Sequence, residues 1–370
     1  MTVVLHHFSR ICPPQVIHVL DRTPLRLLIA GHQAVTLFFL LSGFVLTIPY
    51  KKNGRLHYGR FLLKRVCRLY PPYLGALAFA IICDGYFSGH GHPGNYWINL
   101  TWSAPVTTRL VIQHILFVGN YDWSQFNTAF WSLVYQMRVS LVFPLIAFAV
   151  LRLNAAWVIL CAIALSLAFF PLAILLSSIL HLSSRDTAVR NMLTLHYAAF
   201  FIIGSLLARN FPTINNWYAR LTARQAAAIA VVSLVLYTFS SASSVVQRFS
   251  VVSDLYDWGT AAGAIMLIVF AMNSRRFQGF LTSRTIHHLG RISYSLYLIH
   301  GTILFVLINT LLGRVPLGIL LLIYLSATLL VTEIFHSLVE RPIMLLSLGR
   351  GNSIEIKHSG GTPSESCQVG

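Results

Sequence analysis

QAVTLFFLLSGFVLTIPY, residues 33–50, contains no Asp, Glu, Lys or Arg. An α-helix rises about 1.5 Å per residue, so a run of about 18 apolar residues is long enough to cross the hydrocarbon of a bilayer. A helix on the surface of a soluble protein normally carries charged residues on the face that meets water. Because this stretch has no charged residue for such a face, it predicts a membrane-spanning helix.

Ser42 and Gly43 interrupt this aromatic and aliphatic run. Small residues in membrane helices usually allow two helices to pack closely, and we interpret the pair in that way. A glycine here could also let a substrate approach the backbone. A serine nucleophile is not favoured, because neither a GxSxG turn nor an acidic partner accompanies Ser42.

The composition of the whole chain also indicates a membrane protein. Of its 370 residues, 56% are hydrophobic and 10% are charged, whereas about a quarter of a soluble domain is charged. Four further runs lack charged residues and four weaker runs are plausible spans: 155–180, 191–208, 292–313 and 315–332, then 71–87, 129–151, 225–247 and 258–274. We predict an all-α bundle of about ten transmembrane helices.

The tenth helix of this count is the apolar stretch 1–8, which is too short to cross a bilayer. We interpret it as the second half of a first helix whose beginning is missing. A signal peptide is the alternative, but the stretch lacks a basic segment and a small-residue cleavage site.

The net charge of +17 raises the question of nucleic-acid binding. The distribution of the charge argues against it. If Met1 starts inside, the cytoplasmic loops hold 18 of the 27 Lys and Arg, seven of them in the loop 51–68, and the opposite loops hold eight. This positive-inside bias predicts a multi-pass plasma-membrane protein, in bacteria an inner-membrane protein, with both termini in the cytoplasm. The partner is then the lipid bilayer and not nucleic acid.

One membrane domain, residues 1–350, is followed by a Gly-, Ser- and Pro-rich tail, residues 351–370, that we expect to be disordered in the cytoplasm. The longest outside connection is 88–128, in which 110–118 could form a short interfacial helix. The five cysteines show neither metal-binding spacing nor CxxC, so we expect no metal site and no disulfide framework.

Five segments carry a resemblance to a known family. They read LFFLLSGFVL (37–46), FLLKRVCRLYPPYL (61–74), FWSLVYQMRVSLVFPLI (130–146), LGRISYSLYLIH (289–300) and VERP (339–342). In this order and spacing they resemble the acyltransferase 3 family of multi-pass membrane acyltransferases. The resemblance extends over residues 1–342. It implies transfer of an acyl group, often acetyl, from acyl-CoA as donor substrate to a polysaccharide, a lipid-linked sugar or another hydroxyl-bearing acceptor, with no bound cofactor.

Transfer of an acyl group to a hydroxyl needs a base that removes the hydroxyl proton, and histidine suits this role because its ordinary pKa is near neutrality. VVLHHF (3–8) resembles the first helix of the family, in which a histidine follows small and branched apolar residues. The alignment makes His7 the candidate catalytic base and His6 the less favoured neighbour. The alternative is a polar residue near a helix end that bonds water or a carbonyl.

Arg65 and Arg68 are three residues apart and therefore share one face of a helix. Guanidinium groups can bind the phosphates of CoA in a bidentate manner. The alternative is topogenic charge, which any Lys or Arg could supply. RLYPP, which begins at Arg68 and includes Tyr70, matches the family pattern, so the resemblance favours binding and places Tyr70 in the candidate site.

In the fourth span the family typically shows Trp-Ser-Leu-x-x-Glu, and this chain has Trp131 at the tryptophan but Gln136 at the glutamate. Glutamine keeps the size and the hydrogen bonding and loses the charge. Arg138 lies two residues further on, and an intramembrane arginine usually faces a partner or a wet cavity. We assign all three to the substrate-binding site.

The ninth span carries a polar stripe at spacings of three or four: Ser293, Tyr294, Tyr297 and His300. One interpretation is a lining for a bound acceptor, and the other is interfacial tyrosines. His300 lies about 12 Å into the span by helical rise. It either serves the site or bonds a carbonyl.

Two departures from the family pattern bear on activity. In the family an arginine precedes the first-helix histidine by about three helical turns, and nothing in residues 1–5 replaces it. Gln136 is the second departure. The chain is thus an active enzyme with an upstream start, a truncated form or a degenerate relative. The rival from another class is a non-catalytic transporter or membrane partner protein, although the two related halves of many transporters are not visible here.

Overall fold

The computed structural model describes residues 1–53, 57–88, 97–117, 123–179, 185–240 and 256–345. Within these ranges the chain is helical and contains no β-strand, which confirms the predicted all-α class. Three predicted features lie wholly or partly outside the described residues: the tail 351–370, parts of the loop 88–128, and the end of the span 225–247.

The helices are, in chain order, α1 (Thr2–Ser9), α2 (Pro14–Arg22), a 3₁₀ segment (Pro24–Ile29), α3 (Gly31–Asn53), α4 (Tyr58–Phe87), a 3₁₀ turn (Ile98–Leu100), α5 (Thr108–Leu116), α6 (Phe130–Arg152), α7 (Ala155–Ile179), α8 (Arg185–Tyr218), α9 (Ala223–Phe239), α10 (Tyr256–Asn273), α11 (Arg275–Leu281), α12 (Arg284–Arg291), α13 (Ser293–Leu311), α14 (Leu317–Phe335) and a π-helical turn (His336–Glu340). The predicted interfacial helix 110–118 corresponds to α5.

Seven of the described helices are long and apolar enough to cross a membrane: α3, α4, α6, α7, α8, α13 and the segment that begins with α14 and continues to Leu345. Each overlaps one of the predicted spans over most of its length. Large apolar side chains on these helices are exposed, for example Leu145 at 70% and Leu322 at 67%. A soluble protein seldom exposes such surfaces, whereas lipid would cover them. The chain is thus a multi-pass membrane protein, and the number ten stays a prediction.

Residues 58–68, the second part of the predicted basic loop 51–68, are helical. α3 continues to Asn53, and α4 begins at Tyr58 and runs through Pro71 and Pro72 to Phe87, so the loop prediction is wrong for 51–53 and from Tyr58 onward. Proline removes one backbone hydrogen bond of a helix and crowds the preceding turn, but a membrane helix tolerates this where neighbouring groups satisfy the freed carbonyls. As a result, Arg65 and Arg68 lie on a rigid wall of the bundle.

α3 and α8 pack with almost no space between their backbones. A Cβ atom at Gly43 would lie 2.1 Å from the carbonyl oxygen of Phe201, and one at Gly204 would lie 2.0 Å from the carbonyl oxygen of Leu40. Neither position accepts a side chain without moving a helix. The packing interpretation of Gly43 is confirmed, and α3 is fixed against α8 as one face of the candidate site.

Two apolar cores fill the bundle. The first core joins α1, α4, α13 and α14 around residues such as Tyr73 and Tyr324. The second joins α3, α6, α8 and α10 around residues such as Phe39 and Phe143. The cavity described below is lined by helices of both groups, so its walls are held from two sides.

Candidate active site

His7 of α1 and His300 of α13 form a buried histidine pair. His7 Nδ1 lies 2.9 Å from His300 Nε2, and the two rings stack with centroids 4.9 Å apart and an interplanar angle of 18°. His300 is fully buried and His7 is 8% exposed. The structure therefore brings together two residues that the sequence analysis selected from opposite ends of the chain.

Each member of the pair has a second neighbour. His300 Nδ1 lies 3.0 Å from the carbonyl oxygen of Leu296, one helical turn earlier. The hydroxyl of Thr128 is 3.5 Å from His7 Nδ1, at the long limit of a hydrogen bond. The ring of Trp97 lies 5.8 Å from the ring of His7, so the connection between α4 and α5 also contributes a wall to this part of the site.

His6 does not join the pair. Its Nδ1 atom lies 2.7 Å from the carbonyl oxygen of Ile29, and its side chain packs against Gly31, where a Cβ atom would approach it to 2.5 Å. His6 is thus engaged in fixing α1 to the 3₁₀ segment, and His7 is the histidine of this helix that points to α13.

A cavity of about 430 Å³ lies between α1, α3, α4, α6 and the start of α13. This volume is within the range of pockets that bind small molecules. Most of its wall is aliphatic or aromatic, and the polar side chains that line it are Ser42, Arg65, Arg68, Ser132, Gln136, Ser293, Tyr294, Tyr297 and His300. Seven residues separate Ser293 from His300 on α13, so the cavity extends about 10 Å along this helix.

Arg65 and Arg68 both line the cavity from α4. Arg65 is 9% exposed, and its Nε atom donates to the Ser140 hydroxyl at 3.2 Å. Its Nη2 atom is buried and has no hydrogen-bond partner among the described residues. A buried guanidinium nitrogen without an acceptor is costly, and an anionic ligand in the cavity would supply one.

Gln136 lines the same cavity from α6, and its Oε1 atom is likewise buried without a partner in the part of the chain that the structure describes. The cavity therefore presents one unused donor and one unused acceptor. This pattern fits a ligand that carries both negative charge and amide or hydroxyl donors.

The two tyrosines of α13 line the cavity, but their hydroxyls bond protein groups. Tyr294 donates to the carbonyl oxygen of Leu69 at 2.6 Å. The Tyr297 hydroxyl lies 2.5 Å from the Ser132 hydroxyl and donates to the carbonyl oxygen of Ala129 at 2.8 Å. The tyrosines hold α13 against α4 and α6 and so preserve the shape of the cavity.

His7 contacts His300 without itself lining the cavity, and three predicted substrate-binding residues do not line it either. Tyr70 donates to the carbonyl oxygen of Ile115 at 2.5 Å. Trp131 stacks on His32 with ring centroids 6.2 Å apart. Arg138 lies over the ring of Trp123, 5.2 Å from its centroid. Each connects the bundle to an outer segment or a neighbouring helix.

Sequence reasoning missed a polar network that joins the starts of α3 and α10 to α7 and α8. Asp257 is 2% exposed, and its carboxylate lies 2.8 Å from His32 Nε2 and 3.3 Å from His196 Nε2. His196 Nδ1 in turn lies 2.7 Å from the Ser166 hydroxyl. Asp257 immediately precedes the predicted span 258–274, so its position did not mark it as a carboxylate within the membrane, the signal that would have made it a candidate.

Glu340 of the VERP segment makes one local contact, with His336 one turn earlier, and one contact with α13. It is buried, accepts a short hydrogen bond from Ser295 of α13 and lies 3.0 Å from His336 Nδ1. Both His336 and Glu340 belong to the π-helical turn that ends α14. The VERP segment therefore anchors α14 to the first turn of α13, next to the cavity.

Comparison with known proteins assigns the family. The acyltransferase 3 family model, described as an acyltransferase domain, matches residues 1–336. No curated protein and no solved structure matches the chain. The matched region includes α1, every wall of the cavity and the histidine pair. Because the match extends over most of the chain, this protein belongs to the acyltransferase 3 family and is a membrane acyltransferase.

Proposed function

We propose that this acyltransferase moves an acyl group from acyl-CoA to a hydroxyl of a carbohydrate or another acceptor of the cell envelope, with His7 as the general base. The observation that carries the proposal is a single cavity that contains two arginines near the start of α13 and His300, the partner of His7, two turns further along. A donor with phosphates at one end and a thioester at the other matches this arrangement.

The arginines would bind the donor from the cytoplasm. Arg65 and Arg68 lie in the first part of α4, close to the end that the distribution of Lys and Arg assigns to the cytoplasm. Arg68 is exposed while Arg65 is buried. We expect Arg68 to meet the phosphates at the mouth and the free Nη2 of Arg65 to bind deeper, because guanidinium groups form strong charge-assisted hydrogen bonds to phosphate.

The apolar stretch of the cavity would hold the arm that connects the phosphates to the thioester. This arm is mainly aliphatic and carries two amide groups. The aliphatic walls of α1 and α3 suit the methylene groups, and the unpaired Oε1 of Gln136 could accept from an amide N–H. The glutamine that replaces the usual glutamate would then act in donor binding.

The reaction needs one proton acceptor. His7 removes the proton of the acceptor hydroxyl while the hydroxyl oxygen attacks the thioester carbonyl carbon. The tetrahedral intermediate breaks the carbon–sulfur bond, and the same proton passes from His7 to the sulfur. The products are an ester and free CoA thiol, so atoms and charge balance without a cofactor. By the family resemblance we propose acetyl as the acyl group.

The acceptor would reach His7 from the outer side, next to Trp97, while the thioester comes from the cavity. An aromatic ring beside the base offers a surface on which a sugar ring can stack. With both termini in the cytoplasm of a plasma-membrane protein, this arrangement transfers the acyl group towards the outside. The acceptor is then a polysaccharide or a lipid-linked sugar.

The test is mass spectrometry of envelope glycans and lipids from cells that express the chain, its His7→Ala variant, or its His6→Ala variant. We expect an acyl-sized mass increment on one acceptor with the wild type and with His6→Ala, and its loss with His7→Ala. The His6 variant is a matched control because His6 lies on the same helix and bonds a backbone carbonyl.

An equal increment in the wild type and in His7→Ala would refute His7 as the base. The absence of any increment from cells in which the wild-type protein is inserted and folded would refute the proposed transferase activity of this chain.

A further inference from the structure

We infer that His300 is a positioning residue that fixes the tautomer and the orientation of His7, and so performs the task that a carboxylate performs beside many catalytic histidines. The inference rests on the proposed function of His7 as the general base. It deepens that function, because it states which nitrogen of His7 takes the proton and what holds the ring in place.

The hydrogen-bond directions follow from one backbone carbonyl. The carbonyl oxygen of Leu296 can only accept, so His300 Nδ1, 3.0 Å away, carries the hydrogen of that ring. In a neutral imidazole the other nitrogen is then an acceptor. His300 Nε2 must therefore accept from His7 Nδ1 at 2.9 Å, which leaves the lone pair of His7 on Nε2.

Both rings are neutral in this arrangement. His300 is fully buried and His7 nearly so. The carboxylates within ion-pair distance of a histidine in the described part of the chain are Asp257, Glu333 and Glu340, and they face other histidines. Burying a cation in an apolar site without a counter-charge is costly. Protonation of His300 on Nε2 would also place one donor opposite another, because His7 Nδ1 already donates to that nitrogen.

The surroundings keep His300 in position. Asn127 donates to the carbonyl oxygen of Leu298 at 2.9 Å and to the Thr302 hydroxyl at 3.1 Å, and its Oδ1 accepts from Ala129 N at 2.9 Å. Gly301 allows this approach, since a Cβ there would lie 2.3 Å from Asn127 Oδ1. Residues 127–129, which include the His7 neighbour Thr128, are thus hydrogen-bonded to α13 on both sides of His300.

The usual candidate for an orienting group does not contact the base. Gln136 stands where the family typically has glutamate, and its Oε1 is without a partner among the described residues. The described contacts of His7 Nδ1 are His300 Nε2 and the more distant Thr128 hydroxyl. Orientation of the base therefore falls to His300.

In the reaction, the proton of the acceptor hydroxyl moves to His7 Nε2 as the oxygen–carbon bond forms, and it moves on to sulfur as the carbon–sulfur bond breaks. His300 neither gains nor loses a proton. It accepts a hydrogen bond that becomes stronger when His7 is transiently a cation, and it prevents the flipped ring in which Nδ1 would face the substrate.

A pair of matched substitutions tests this role. In His300→Gln the side-chain oxygen can occupy the place of Nε2 and accept from His7, whereas in His300→Asn the shorter side chain can replace only Nδ1. We expect His300→Gln to retain a large part of kcat and His300→Asn to lose about 100-fold, the scale of one general acid–base contribution. The KM for acetyl-CoA should stay within about two-fold in both, since the arginines are untouched.

A second measurement does not depend on activity. ¹⁵N NMR of histidine-labelled wild-type protein reports which ring nitrogen carries hydrogen, and the resonance of His7 is the one that disappears in His7→Gln. We expect hydrogen on Nδ1 and a lone pair on Nε2. Hydrogen on Nε2 of His7, or equal kcat in the Gln and Asn variants, would overturn the inference.

These outcomes separate the two proposals. If His7→Ala abolishes transfer while both His300 variants behave as wild type, the proposed function stands and the role of His300 fails. If His7→Ala retains transfer, the proposed function fails, and the NMR tautomer then describes only a structural contact.

Discussion

Asp257 Oδ1 lies 2.8 Å from His32 Nε2, which joins the start of α10 to the start of α3. The same carboxylate reaches His196 in the middle of α8. Three helices that line or support the second apolar core thus meet at one buried charge. Neither residue of the pair lines the cavity, so removal of the carboxylate should change stability more than catalysis.

We expect Asp257→Ala to destabilise the protein by about 3 kcal/mol, because it leaves the buried His196 without its acceptor. Thermal unfolding in detergent measures the effect. Asp21→Ala is the control, since its ion pair with Arg26 is half-exposed and such pairs contribute little. Equal midpoints for the two variants would contradict a stabilising role of Asp257.

Gly43→Ala should separate α3 from α8. The added methyl group meets the carbonyl oxygen of Phe201 at 2.1 Å, and overpacking of this kind costs about 1–3 kcal/mol. Gly85→Ala in α4 is a matched helical control, because a Cβ there has no neighbour within 4 Å among the described residues. We expect a lower unfolding temperature for the first variant and an unchanged or higher one for the second.

Arg65→Ala should weaken donor binding. The loss of one charge-assisted hydrogen bond to phosphate corresponds to about 1.5–3 kcal/mol, so we expect the KM for acetyl-CoA to rise by about ten-fold or more with a smaller effect on kcat. Lys64→Ala is the control: Lys64 is the adjacent cation and does not line the cavity. An unchanged KM in Arg65→Ala would place the donor elsewhere.

Gln136→Leu should have opposite effects on stability and on binding. It removes a buried oxygen that has no partner among the described residues, so we expect a gain of about 1 kcal/mol in stability. The same change removes an acceptor for the donor amides, and the KM for acetyl-CoA should rise. A stabilised variant with an unchanged KM would show that Gln136 does not contact the donor.

The spans were predictable because membrane helices are selected by length and lack of charge. The run 155–180 corresponds almost residue for residue to Ala155–Ile179. The start of α4 was not predictable in the same way, because two prolines and four basic residues around Arg65 imitate the end of a loop. The structure shows that packing against α6 and α13 outweighs these local signals.

The individual residues of the site could be predicted from the sequence, but the contacts between them could not. His7, Arg65 and His300 were selected from the sequence by their chemistry and by resemblance to the family. The 2.9 Å contact between His7 and His300 was not predicted, because no local pattern relates residues at opposite ends of a chain. Arg138 is a charged residue inside an apolar span, which made it a candidate for the cavity, yet its guanidinium lies over the ring of Trp123.

The contact between His7 and His300 spans 293 positions, and the hydroxyl of Tyr324 reaches back to the carbonyl oxygen of Val4 at 3.4 Å. During synthesis α1 is therefore made well before its partners α13 and α14, and it can pack against them only after they have entered the bilayer. A chain released before α13 cannot contain the pair, whatever else has folded. The candidate site is thus completed only when the late helices pack against α1, and contacts between residues so far apart in the chain are slow to form.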